Sequence, residues 1–191
     1  MNESSEINEE QNTNQASPSG DPPADTIKQI IYYGNDLLRR RTKLVTDIDN
    51  TIIQLVASLF DTMYDAPGIG LAAPQIGELL SVIVVDPRRP EEGGRPLALI
   101  NPEIIEYAGQ STFEEGCLSI PGVFEDVRRP STIKVRYRDL NSQQQIESFD
   151  GIMARVIQHE CDHLRGKLFV DHLSTMRRAL IRKRLREIEA Y

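Results

Sequence analysis

The sequence predicts an α+β domain, with short, largely antiparallel strands packed around one central helix and an amphipathic helix at the C-terminus. Three observations predict it. Short aliphatic or alternating runs at 79–85, 97–100, 133–138 and 145–149 are separated by turn formers, as strands are. Next, Ile152, Val156, His159 and His163 fall at i, i+4, i+7 and i+11, a single helical face. Finally, Leu173, Met176, Leu180, Ile181, Leu185 and Ile188 make an apolar stripe through an arginine-rich terminus. Strands preceding one buried helix favour an α+β arrangement over alternating βαβ units.

At 191 residues the chain has room for one domain with a substantial core. Hydrophobic residues make up 39%, there is no tryptophan, and no apolar run approaches the roughly 20 residues that span a bilayer. The net charge of −7 is unevenly placed. Residues 1–25 hold Glu3, Glu6, Glu9, Glu10, Asp21 and Asp25 with no base, which leaves 22 bases against 23 acids in the rest. A nearly neutral body gives no argument for nucleic-acid binding by the domain as a whole, and none for sequence-specific recognition. Two cysteines do not make a disulfide framework and suit a reducing compartment with a ligand thiolate.

Taken in order, residues 1–25 are rich in Asn, Gln, Ser, Glu and Pro and are expected to be disordered, with a single domain over 26–191. A helix is expected to start near Asp47 or Asp49, with Ile52, Ile53, Val56, Leu59, Phe60 and Met63 as its packing stripe. Residues Pro67 to Gly77 are dense in small residues and turn formers, but no Gly-Lys-Ser/Thr follows to make a phosphate loop. This stretch reads as an irregular segment whose backbone approaches something closely, with Gln75 as its only polar side chain able to make directed hydrogen bonds. Leu79–Val85 reads as a buried strand, 86–96 as an exposed hairpin loop, and Leu97–Ile100 as the next strand. Ile133–Arg138 alternates as a half-exposed strand and turns through Asp139–Ser142 into Gln145–Phe149.

The central helix carries the chemistry. Asp150 is placed to cap it, Gly151 opens the turn, and Gly166 is its C-terminal stop. His159 and His163, four residues apart, lie about 40° apart around the axis, so both imidazoles can close on one metal ion. Glu160, beside the first histidine, is then placed as a general base for an activated water. A catalytic site of this kind needs a third protein ligand. Position 169 is Phe169, where a metzincin protease would have histidine. Asp171 could serve a thermolysin-like scheme, but nothing singles it out, and His172 lies past the helix stop. Cys161 sits about 200° around the helix from His159 and faces the packing side. Cys117, the other cysteine, completes a Cys-His-His set.

Three segments now stand together in order: Gly68-Ile69-Gly70-Leu71-Ala72-Ala73-Pro74-Gln75, Glu115-Gly116-Cys117-Leu118-Ser119, and Gln158-His159-Glu160-Cys161-Asp162-His163-Leu164 followed by Gly166. The chain resembles the peptide deformylases in these segments, which together span residues 68–166. The resemblance implies hydrolysis of the N-formyl group of N-formylmethionine on nascent chains, releasing formate, as an N-terminal processing step in protein biosynthesis. It implies Fe(II) held by Cys117, His159 and His163, with Zn(II), Ni(II) or Co(II) as replacements; thiolate and imidazole donors alone allow zinc equally. Glu160 is then the proton carrier, and the Gln75 amide and Leu118 N–H are the oxyanion donors. Gly70 lets the loop backbone pair with an extended peptide, and Ile69, Phe113 and Val156 are candidates for the methionine pocket. Glu115 is either an orienting group for backbone or arginine side chains or a surface acid.

Two alternatives come from other classes. A zinc metallopeptidase would use His159, Glu160 and His163 without needing Cys117 or Gln75. A metal-stabilised binding module would work through the basic C-terminal helix, which in the enzyme could instead contact ribosomal RNA. The absence of a basic presequence favours a bacterial cytoplasm over an organelle.

Overall fold

The computed structural model describes residues 26–88 and 95–190. The expectations for the acidic tail and for most of the 86–96 loop lie outside these residues. The chain runs α1 (Asn50–Asp65), β1 (Gly70–Ala72), β2 (Val82–Val85), β3 (Leu97–Ala108), β4 (Ser111–Cys117), β5 (Ile120–Arg129), β6 (Thr132–Arg138), β7 (Gln144–Asp150), α2 (Gly151–Leu164) and α3 (Thr175–Glu189). Short 3-10 turns occupy Asp36–Arg39, Ala73–Ile76 and Phe169–His172. The class is α+β, and every strand pair within the two sheets is antiparallel.

Five strands form one sheet in the order β1-β2-β3-β6-β7, while β4 and β5 form a separate hairpin. Cys117 faces Ile120 across the two-residue turn Leu118-Ser119. Helix α2 packs Met153, Ala154, Val156, Ile157 and Cys161 against Ile83, Val85, Leu99, Val135 and Phe149 on one face of the large sheet. Helix α1 covers the opposite face with Ile52, Val56, Leu59 and Met63 over Leu71, Val82, Val84 and Ile100. A third core joins the hairpin to the C-terminus through Ile120, Val123, Val127, Phe169, Leu185 and Ile188. Each buried Val, Leu, Ile, Phe or Met of these cores contributes about 1.5–3 kcal/mol against leaving it in water. No helix among the described residues is long and apolar enough to cross a membrane.

Local chemistry explains the helix ends. Asp49 accepts from the N–H groups of Thr51 and Ile52, so α1 begins where its cap predicts. Asp150 holds the N-cap position of α2, but its side chain makes no capping hydrogen bond. Gly166 has φ +71°, and a Cβ there would lie 2.3 Å from the Arg39 carbonyl oxygen, so only glycine ends the helix against that 3-10 turn. Three expectations need correction. The 67–77 stretch is ordered as β1 and a 3-10 turn, because β1 completes the sheet edge by pairing with β2. Ile53 is solvent-exposed, one position off the buried stripe of α1. Met176 and Leu180 are 76% and 72% exposed, because Ile181, Leu185 and Ile188 alone face the hairpin core.

Candidate active site

Three elements converge on one cavity. Helix α2 supplies His159 and Glu160, with His163 one turn further along, the end of β4 and its turn supply Cys117 and Leu118, and the turn after β1 supplies Gln75. The donor atoms of Cys117, His159 and His163 lie within 4.8 Å of one another. Cys117 Sγ is 3.4 Å from His163 Nε2, and the two imidazole centroids are 5.2 Å apart. His159 Nδ1–H donates to Glu115 Oε2 at 2.9 Å, which leaves Nε2 for an ion and fixes the ring. Phe169 stacks on the same ring, 6.1 Å between centroids. Three clustered donors, of which Cys117 and His159 stand on the cavity wall, have the softness suited to zinc or iron and fit a catalytic metal centre.

Glu115 is no surface acid. It is 5% exposed and takes hydrogen bonds from Arg129, Arg155 and His159. Burial works to raise its pKa, but the bonds from His159 and Arg129 and the Arg129 charge outweigh burial and hold the carboxyl well below the usual range. Arg129 also binds Asp162 Oδ2 at 2.6 Å, and Asp162 accepts from His172 at 2.7 Å. The result is a chain of buried charges behind the ligand helix, each paired. Sequence reasoning missed Arg129, Arg155 and Asp162, whose polarity reads as surface. The available signal was parity: Arg129 lies two residues from buried Val127 on β5 and shares its face.

Burial disfavours the charged form of both His159 and His163. Cys117 and Glu115 nevertheless raise His159, while the His159 charge adds to burial in lowering His163. Glu160 is buried at the cavity wall, and its Oε2 has no hydrogen-bond partner among the described residues. Burial, helped by the Glu115 and Asp162 charges and opposed by those of His159 and Arg129, pushes its pKa up to about 7. Cys161 stands apart from this cluster, 2% exposed in the sheet core, where burial pushes its thiol up to about 12.

Gln75 is also held firmly. Its Oε1 accepts the Ala72 N–H at 2.8 Å, so Nε2 points toward Ser119 Oγ at 3.2 Å and Cys117 Sγ at 3.5 Å. Gly70 lies so close to α2 that a Cβ there would be 2.5 Å from both Glu160 Oε1 and Val156 Cγ1. Ile69, Gly70, Gln75, Leu118, Val156, His159 and Glu160 all line a cavity of about 460 Å³. Ile120, Ile152 and Phe124 line it too, without having been anticipated. Phe113 does not line it; its half-exposed ring sits under the Arg155 guanidinium, 5.2 Å from the centroid, because that arginine reaches across β4 to Glu115.

The model of the polypeptide deformylase family matches residues 27–179. A peptide deformylase of Chlorobaculum parvum is 46% identical over 165 residues, covering 85% of this chain and 88% of the relative. One from Pseudothermotoga lettingae is 47% identical over 163 residues, with 85% and 92% covered. The crystal structure of a peptide deformylase from Legionella pneumophila superimposes with a TM-score of 0.79 at 39% identity, over 86% of this chain and 96% of that one. Matches of this extent, over the whole stretch that carries Gln75, Cys117, His159 and His163, place the chain in the peptide deformylase family.

Proposed function

We propose that the single domain over 26–191 hydrolyses the formyl amide of N-formylmethionyl peptides with Glu160 as proton carrier, on an ion held by Cys117, His159 and His163. One observation carries the reading. Glu160, whose buried Oε2 has no hydrogen-bond partner among the described residues, lines a cavity beside three clustered donors and a fixed amide. When bound, the ion supplies Lewis acidity, which makes hydroxide available near neutral pH. Fe(II) is our choice for the native ion, with zinc, nickel or cobalt as replacements.

The chain's own groups account for the rest. Glu160 takes a proton from the attacking water as its oxygen bonds to the formyl carbon. It delivers that proton to the departing nitrogen as the C–N bond breaks, giving formate and a free amine. The Gln75 Nε2–H and the Leu118 N–H are the donors for the oxyanion that forms on the way. The free edge of β1 at Gly70 supports antiparallel pairing with an extended peptide, since β2 occupies only its other side. Ile69 and Val156, with Ile120 and Phe124, are the walls for the methionine side chain, and Gly70 leaves room for the backbone. A cytoplasmic enzyme that meets nascent chains through contact between the basic α3 and ribosomal RNA completes the reading. Alanine at Arg177, Arg178, Arg182 and Arg184 should then abolish salt-sensitive ribosome binding.

The deciding experiment is formate release from formyl-Met-Ala-Ser by anaerobically purified protein, with metal measured in the same sample. Turnover with about one ion per chain, lost in Glu160→Ala while the ion stays, supports the assignment. Full turnover in that variant sinks it.

A further inference from the structure

Helix α3 presents an outward face that the described residues leave uncovered. Ile181, Leu185 and Ile188 are its packed side. Arg177, Arg178 and Arg184 flank that side and are matched to Glu125, Asp171 and Glu187. The opposite side differs. At 100° per residue, Arg182, Arg186, Lys183, Met176 and Leu180 fall within an arc of about 160°. Among the described residues no carboxylate pairs with Arg182, Lys183 or Arg186, and Met176 and Leu180 are about three-quarters exposed. A shallow groove runs along this face between Ala179, Arg182, Lys183, Arg186, Glu187 and Ala190, and the one carboxylate among them, Glu187, is held by Arg184 at 3.2 Å.

The chain contains a segment of the complementary kind. Within residues 1–25, which hold six acids and no base, Glu6-Ile7-Asn8-Glu9-Glu10 sets three carboxylates around the only large aliphatic after Met1. Reach is sufficient. About 19 residues join Ile7 to Thr26, a span of about 24 Å for a flexible linker, while α3 is about 22 Å long. The described chain also starts beside its target, because Gln29–Asn35 form a groove with Ile188 and Glu189 at the end of α3.

We propose that Glu6–Glu10 dock on this face in cis, with Glu6, Glu9 and Glu10 on Arg182, Lys183 and Arg186 and with Ile7 between Met176 and Leu180. The contact is independent of the chemistry in the cavity. Tethering holds the segment at about millimolar effective concentration, enough for a weak contact to be populated. Its consequence is that α3 is masked by its own chain and must be uncovered by any other polyanion.

The test uses the full-length, metal-loaded protein labelled with 15N and its Glu6→Gln/Glu9→Gln/Glu10→Gln variant. The amides of Met176, Leu180, Arg182, Lys183 and Arg186 should differ between the two at low salt. The difference should vanish at about 0.5 M salt, where exposed pairs are screened, and should not depend on protein concentration. Heparin, as a soluble polyanion, should bind the variant about fivefold more tightly. Coincident α3 amides overturn the proposal. So does a difference that grows with concentration, since the contact then joins separate copies. Tighter heparin binding with unmoved α3 amides also overturns it, because net charge alone would be acting.

Discussion

Replacing Gly70 with alanine tests how tightly the site is assembled. The added Cβ would lie 2.5 Å from Glu160 Oε1, 2.5 Å from Val156 Cγ1 and 3.0 Å from Glu160 Cδ. Carbon reaches ordinary contact near 3.4 Å, so about 0.9 Å must be found. Val156 is β-branched on a buried helix and holds one rotamer, so it cannot swing aside. The carboxylate can retreat, or the three-residue β1 can lift off α2. A displacement of about 1 Å at a catalytic group costs about 10²-fold in rate, which is about 2.7 kcal/mol of transition-state stabilisation. Overpacking should also lower folding stability by about 1–3 kcal/mol. Formate release at varied substrate concentration, with metal content and urea midpoint on the same sample, measures all three. Loss mainly in kcat places the damage at Glu160; loss mainly in KM places it in the peptide groove. Adding Val156→Ala should recover part of the loss, as contacting residues couple. Activity within threefold of the parent (about 0.65 kcal/mol), with metal retained, would refute the close approach of β1 to Glu160.

Other outcomes follow from the same geometry. Gln75→Ala should lower kcat by about 10²–10³ with the ion retained, the usual loss for one oxyanion donor, and formate release with metal analysis checks it. Cys117→Ala should lose the ion on dialysis and all deformylase activity; the metal content of the dialysed protein decides. Arg129→Met leaves Glu115 and Asp162 short of their buried partner and should cost about 3–5 kcal/mol in urea unfolding, more than any single exposed ion pair could. Tyr137, whose hydroxyl donates to Glu147, has a pKa pushed up to about 12 by burial and by that carboxylate. An unfolded phenol titrates near 10, so from about pH 10 to 12 the native state binds the extra proton and stability falls as pH rises. Tyr137→Phe should show a shallower decline over that window in denaturation midpoints.

What could be read from the sequence was what short-range chemistry controls. The histidine spacing, the cap at Asp49 and the glycine at 166 each act within a few residues, and each predicted its local structure. The β4–β5 hairpin was harder to see. Glu114, Glu115 and Gly116 interrupt the alternation that marks a strand, and Glu115 turns inward only because Arg129 and Arg155, 14 and 40 residues away, arrive to meet it. Phe113 shows the same limit in reverse. An aromatic beside a site motif suggested a pocket wall, but Arg155 crossing to Glu115 caps its ring from outside. In α3 the apolar periodicity was real, yet two of its six positions face solvent, because a stripe records which residues can pack and not whether a neighbour is there.

The division of the metal donors between a hairpin and a helix has a consequence for how the molecule is made. Cys117 and His163 are 46 residues apart. At about 5–20 residues per second of synthesis that separation is about 2–9 s. Until His159 is made, 42 residues after Cys117, the hairpin can form while its thiol stands without either imidazole. The newborn polypeptide therefore passes through a stage at which it can be oxidised but cannot yet be loaded.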